Sequence, residues 1–253
     1  MNFFIALRKE LMEQWRTKRL LIVAVILAVF GLGSPLLAKL TPDLLRAVPN
    51  LPAGLADFIP VPTVADAVTQ YVKNMSQFGI LLALLMSMGS VAQEKERGTA
   101  AMMLTHPISR LDFLLAKFVA LGLTFALSLA VAAVGCWYYT LLLFEALPWG
   151  PFLALNGLML LVFLVYIAVT LLCSTLVRTQ GAAAGLAFTA LVVIGGIGAL
   201  PRINDFMPGR LFNWGAAIAL SQSEPSWAAL WISLGLIAVS LCAAWLVFRR
   251  QEL

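Results

Sequence analysis

The apolar residues of this sequence are gathered into blocks, six of them long enough, alone or with an amphipathic lead-in, to cross a bilayer. A helix needs roughly 20 residues to traverse the hydrocarbon core, and in that core only helices and closed barrels satisfy their own backbone. The blocks are continuous rather than alternating, so the expected class is an all-α integral membrane protein. Composition agrees: 62% of the 253 residues are hydrophobic and 11% are charged, too few polar groups to cover a soluble domain of this size.

Laid along the chain, the pattern predicts a single transmembrane domain. Residues 1–19 form an amphipathic helix lying in the membrane interface. Phe4, Leu7, Leu11 and Trp15 repeat there at helical spacing, and Arg8, Lys9, Glu13, Arg16 and Lys18 face elsewhere. The first span covers 20–38, and 39–62 is a loop rich in proline and glycine. Thr63 then starts one long helix over 63–93, with Asp66 as its capping partner, amphipathic at first and buried where it becomes the second span. A cytoplasmic segment occupies 94–107. The remaining spans are 113–144, 152–177, 181–200 and 227–248. Residues 201–226 form an outer segment in which Pro201, Pro208 and Gly209 fit a plain loop and a re-entrant turn equally.

Basic residues orient the chain. With the N-terminus inside and six crossings, the outer segments hold Lys39, Arg46, Lys73, Arg202 and Arg210, and the inner segments hold the other twelve of the 17. Both termini are therefore expected in the cytoplasm, in a multi-pass protein of the cytoplasmic membrane. The first apolar block lacks a cleavage site and is expected to stay in the protein. The net charge of +5 comes from residues flanking the spans, which suits anionic lipid rather than nucleic acid.

Catalytic chemistry is sparse. His106 is the single histidine and sits in a loop; Cys136, Cys173 and Cys242 lie singly in apolar blocks and read as packing residues. There is no G-x-x-x-x-G-K-[ST] phosphate loop. Lys117 is the one ionisable group inside a span and is expected to snorkel to the cytoplasmic edge. Gly181 and Gly185 form a G-x-x-x-G that reads first as close packing within the chain and second as a dimer seam. An enzyme with a site of its own is disfavoured, and no metal site is expected.

The most specific segment joins spans two and three: Glu94-Lys95-Glu96-Arg97-Gly98-Thr99, then Met103, Leu104, Pro107-Ile108-Ser109-Arg110 and Lys117. Its middle predicts a short helix that Pro107 ends, with Ser109 capping the next helix. A rigid surface helix with a Met103-Leu104 patch and a charged rim suits docking into a partner's groove, or packing on the protein's own base.

This E-K-E-R-G-T…P-I-S-R…K stretch resembles the loop of ABC-2 type ABC transporter permeases. The N-terminal Arg8-Lys9-Glu10-Leu11 helix and the Phe248-Arg249-Arg250-Gln251-Glu252-Leu253 tail suit the same layout. The resemblance implies the fold of type V ABC exporters, with an elbow helix marked by Phe4, Leu7, Arg8, Lys9, Leu11 and Trp15 and a coupling helix in 94–107. It assigns docking of partner ATPase subunits to Glu94, Glu96, Arg97, Gly98, Thr99, Met103, Leu104, Pro107 and Arg110. It also implies a second permease subunit, a copy of this chain or a relative. ATP and Mg are expected on the partner ATPase, with no cofactor in this chain. The function implied is export powered by those ATPases; the alternative is a membrane subunit that drives assembly or maturation of an extracytoplasmic partner.

Overall fold

In the computed structural model, which describes residues 2–46, 61–99, 109–198, 200, 202–222 and 225–251, every regular element among the described residues is helical. In chain order these are α1 (Asn2–Arg16), α2 (Arg19–Arg46), α3 (Val64–Asn74), α4 (Ile80–Ser87), α5 (Ala92–Glu96), α6 (Arg110–Leu143), α7 (Trp149–Leu176), α8 (Gln180–Gly198), α9 (Arg210–Ala219) and α10 (Trp227–Arg250). A π-helical turn at Met75–Gly79 joins α3 to α4, and a 3₁₀ turn at Asn204–Phe206 precedes α9. Among the described residues, six segments are long and apolar enough to cross a membrane: α2, the α3–α5 segment, α6, α7, α8 and α10. Met103, Leu104 and Pro107, with the rest of 100–108, lie outside the described residues.

Three boundaries depart from the sequence reading. Helix α2 continues through Pro35 and Pro42 to Arg46 instead of ending near residue 38. Hydroxyls run alongside these breaks, Ser34 donating to Phe30 O at 2.5 Å and Thr41 to Leu37 O at 2.6 Å, and a spanning helix tolerates proline when neighbours satisfy its backbone. The long helix expected over 63–93 is divided. Its capped start holds, with Thr63 N donating to Asp66 Oδ2 at 2.8 Å, but the π turn interrupts it and it breaks again at residues 88–91. At that second break the freed Val91 and Ala92 amides donate to Ser174 Oγ at 3.1 and 2.9 Å. In the outer segment, α9 packs inward: Leu211, Phe212, Trp214 and Gly215 are buried, and Gly215 lets α9 approach Leu155 of α7 so closely that a Cβ there would lie 2.7 Å from Leu155 Cδ1.

Helices α6 and α7 hold the centre. Helix α2 lies along α6, where a Cβ on Gly31 would run into the Ala132 carbonyl. Phe125, Phe152, Met159 and Phe163 fill the core with Tyr71 and Phe212. Outward faces remain apolar: Val29 of α2, Phe188 of α8 and Val239 of α10 are all more than half exposed, as lipid-facing residues are. Cys136 and Cys173 are buried and Cys242 is exposed, so the packing role expected of all three cysteines does not extend to Cys242 within this chain. Gly181 and Gly185 have nothing within 4 Å of a built Cβ. Among the described residues, the close packing expected of that pair is therefore absent.

Candidate functional site

One end of the bundle gathers α1, the 92–99 segment, the start of α6, the α7–α8 turn and the end of α10. Helix α5 is the hub. Its Lys95 ammonium donates to Thr175 O at 2.6 Å and stands 5.6 Å from the Phe248 ring centroid. Glu96 Oε2 accepts from Gln180 N at 3.1 Å, a carboxylate at the start of α8 where exposed amides and the helix dipole favour negative charge. After α5, Gly98 takes φ +70°, the left-handed residue that closes many helices and that favours glycine, and Thr99 Oγ1 donates to Glu94 O at 3.2 Å. Arg97, Gly98 and Thr99 are exposed.

Glu94 turns the other way, into a charged cluster with α1 and α6. Its Oε1 meets Lys117 Nζ at 2.8 Å and Lys9 Nζ at 3.0 Å. Glu10 Oε1 meets the same two ammoniums at 3.0 Å each, and Glu13 reaches Lys9 at 3.3 Å. The Glu10, Glu13 and Glu94 carboxylates converge within 4.8 Å, but the lysines already supply the positive charge a metal would bring. A small polar cavity with room for about one water lies beside them, lined by Gln14, Arg19, Gln93 and these acids.

Burial alone would drive these groups neutral. For Lys9 burial opposes the charge, yet the Glu10 and Glu94 carboxylates outweigh it and hold the ammonium well above the ordinary lysine range. For Glu10 burial pushes the carboxyl up, and Lys117 and Lys9 outweigh that and hold it below the ordinary range.

Lys117 is 3% exposed. It does not snorkel outward as the sequence suggested; its partners come to it. Helix α1 is inverted relative to a soluble surface helix: its buried stripe is Ala6, Glu10 and Gln14, and Phe4 and Trp15 point outward at 73% and 74% exposure. Gln14 accepts the Thr124 hydroxyl of α6. Leu7 and Leu11 are half-buried, Arg8 is exposed, and Lys9 enters the cluster.

The other end of the connecting segment is fixed separately. Ser109 Oγ accepts Asp112 N at 3.0 Å and caps α6. Arg110 Nη1 donates to the carbonyls of Phe248, Arg249 and Gln251 at 2.6, 2.8 and 2.9 Å, satisfying the orphan acceptors at the end of α10. Phe113 stacks on Phe248 with centroids 5.4 Å apart, and Gln251 Nε2 reaches Thr175 O at 2.9 Å.

Of the residues singled out in the sequence, Glu94, Glu96 and Arg110 thus fix the two ends of the connecting segment onto the bundle, while Gly98 and Thr99 close α5 on itself. Glu10, Gln14, Thr124, Ser174 and Thr175 were missed as members of this site; Lys117 was singled out, but not as their partner. The available signal was Ala6-Glu10-Gln14, small and polar residues at a spacing of four.

Comparison with known proteins places this arrangement. The uncharacterized transmembrane protein YxlG of Bacillus subtilis is 26% identical over 250 residues, covering 97% of this chain and 96% of that protein. A probable ABC transporter permease protein, NosY of Pseudomonas aeruginosa, is 26% identical with 97% of each chain covered. NosY of Stutzerimonas stutzeri is 30% identical over 185 residues, 71% of this chain and 62% of its own. The family described as ABC-2 family transporter protein matches residues 5–253. With six spans, a charged base and a family match across nearly its whole length, this chain belongs to the ABC-2 family of transporter proteins.

Proposed function

We propose that this chain is the membrane-spanning permease subunit of an ATP-binding cassette transporter of the cytoplasmic membrane, moving its substrate with energy from separate ATPase subunits. The observation that carries the reading is how the 94–110 segment is held. Its front end is tied through Glu94 to α1 and α6, through Lys95 to α7 and through Glu96 to α8; its back end is tied through Arg110 to α10. A push on this one segment reaches five elements without passing through lipid. In this reading that push comes from a docked ATPase, with ATP and Mg on the partner, and the split of basic residues, twelve against five of 17, supports both termini in the cytoplasm. A second permease subunit is expected beside this one, and Gly181 and Gly185, where a built Cβ meets no described atom within 4 Å, suit close approach by another helix.

The test is co-purification with the partner ATPase from a co-expressing host. Met103→Ala/Leu104→Ala removes two apolar side chains, each worth about 1.5–3 kcal/mol if buried in a groove. The expected outcome is loss of the ATPase with an unchanged melting temperature. A double variant that retains wild-type ATPase, or that melts early, overturns docking through this patch; no ATPase on the wild-type chain overturns the permease reading.

A further inference from the structure

We infer that Lys117 is a positioning residue that fastens the N-terminal helix to the loop-bearing α5, so that α1 and α5 move as one body on α6. The geometry stands by itself; the use made of it rests on the permease reading.

Lys117 sits two turns into α6 and is almost fully buried, with its ammonium 4.8 Å from the Phe113 ring centroid. It bonds two carboxylates from two other elements, Glu10 of α1 and Glu94 of α5. Lys9 bridges the same two acids from the half-exposed side. Two acids and two ammoniums therefore close a ring in which Lys117 is the inner member and the one rooted in a span. Helix α5 has other attachments, to Ser174 and Thr175 of α7, Gln180 of α8, Phe248 of α10 and Arg19 of α2. Helix α1 has others to α6, through buried Ala6 and the Gln14–Thr124 bond. These two sets meet at the ring, where Lys117 joins both acids from inside and Lys9 from outside. A buried charge with its partners removed is strongly unfavourable, whereas replacing a whole buried ion set with neutral groups is often tolerated. Fastening and folding can therefore be separated by mutation.

The experiment uses the full chain with its co-purified ATPase in lipid nanodiscs. It follows amide hydrogen exchange over 3–16, 92–99 and 111–124, with and without Mg and a non-hydrolysable ATP analogue. Lys117→Met leaves Glu10 and Glu94 underpaired and should lower the melting temperature. Glu10→Gln/Glu94→Gln/Lys117→Met leaves Lys9 with Glu13 and should recover the melting temperature. In that triple variant, helix α1 should exchange about tenfold faster than in the wild type, as the loss of charge-assisted bonds implies. It should also no longer respond to nucleotide together with 92–99. Wild-type protection of α1 in the triple variant, or an unchanged nucleotide response there, overturns the inference. If nucleotide shifts no segment even in the wild type, the permease reading fails, and the nucleotide-free exchange of α1 still decides whether Lys117 holds it.

Discussion

At the scale of single residues, the charged base is an acid-sensitive structure, and the sign follows from the shifts. Glu10 has its carboxyl held below the ordinary range by Lys117 and Lys9, against the opposing effect of burial. Its stabilising contribution is complete above the unfolded value of about 4.3 and is lost as pH falls through the lower folded value. Lys9, held above its ordinary range, contributes fully below about 10.4 and loses its part only as pH rises through the raised folded value. Glu13, Glu94 and Lys117 face the same pair. Replacing Glu10 by Gln should therefore cost about 1–3 kcal/mol near neutral pH, and the gap in melting temperature to the wild type should close as pH drops below about 4. A gap that fails to narrow as pH is taken further below that value would show that Glu10 binds no linked proton. This cluster was only half legible in the sequence. Glu94 and Lys117 stood out individually, but their convergence with Glu10 across 107 and 23 positions depends on how three helices meet. Caps such as Ser109 with Asp112 were legible because both partners lie within one turn.

At the scale of elements, periodicity identified α1 as amphipathic but could not say which face meets protein. In water the apolar face goes inward; here lipid is as apolar as leucine, and the polar stripe is the one that finds partners on α6. Similarly, the first span was ended too early where the proline- and glycine-rich stretch begins, because Pro42 stays inside α2. The α2–α6 contact carries its own expectation. A Cβ on Gly31 meets the Ala132 backbone, which has no side-chain freedom to yield, whereas Gly33 has open space around it. Gly31→Ala should destabilise by about 1–3 kcal/mol through overpacking. Gly33→Ala should be neutral or better, since alanine is the stronger helix former. Melting both variants in the same detergent checks the pair; equal melting temperatures would mean that α2 and α6 are not in backbone contact at Gly31.

For the whole molecule, α1, the loop ends, the α7–α8 turn and residues 248–251 share one end, and Gln222, beyond α8 and α9, belongs to the other. In a background with Cys136, Cys173 and Cys242 replaced, single cysteines at Arg16 and Arg250 should label from the same side of sealed vesicles with an impermeant maleimide, and one at Gln222 from the opposite side. Labelling of Arg16 and Gln222 from one side would break the six-crossing arrangement. The count of spans was open to sequence reasoning because it needs only length and hydropathy, while the meeting of the charged groups needed the assembled base. That base also has an order in time. Synthesis delivers Glu10 first, then Glu94, then Lys117, so the front fastening becomes complete once the third span has entered the membrane, before the fourth, fifth and sixth spans are made. The carbonyls that receive Arg110 belong to residues 248–251 and emerge only with the end of the sixth span. The front of the base can close on a nascent chain; the back closes only on one whose sixth helix has been made.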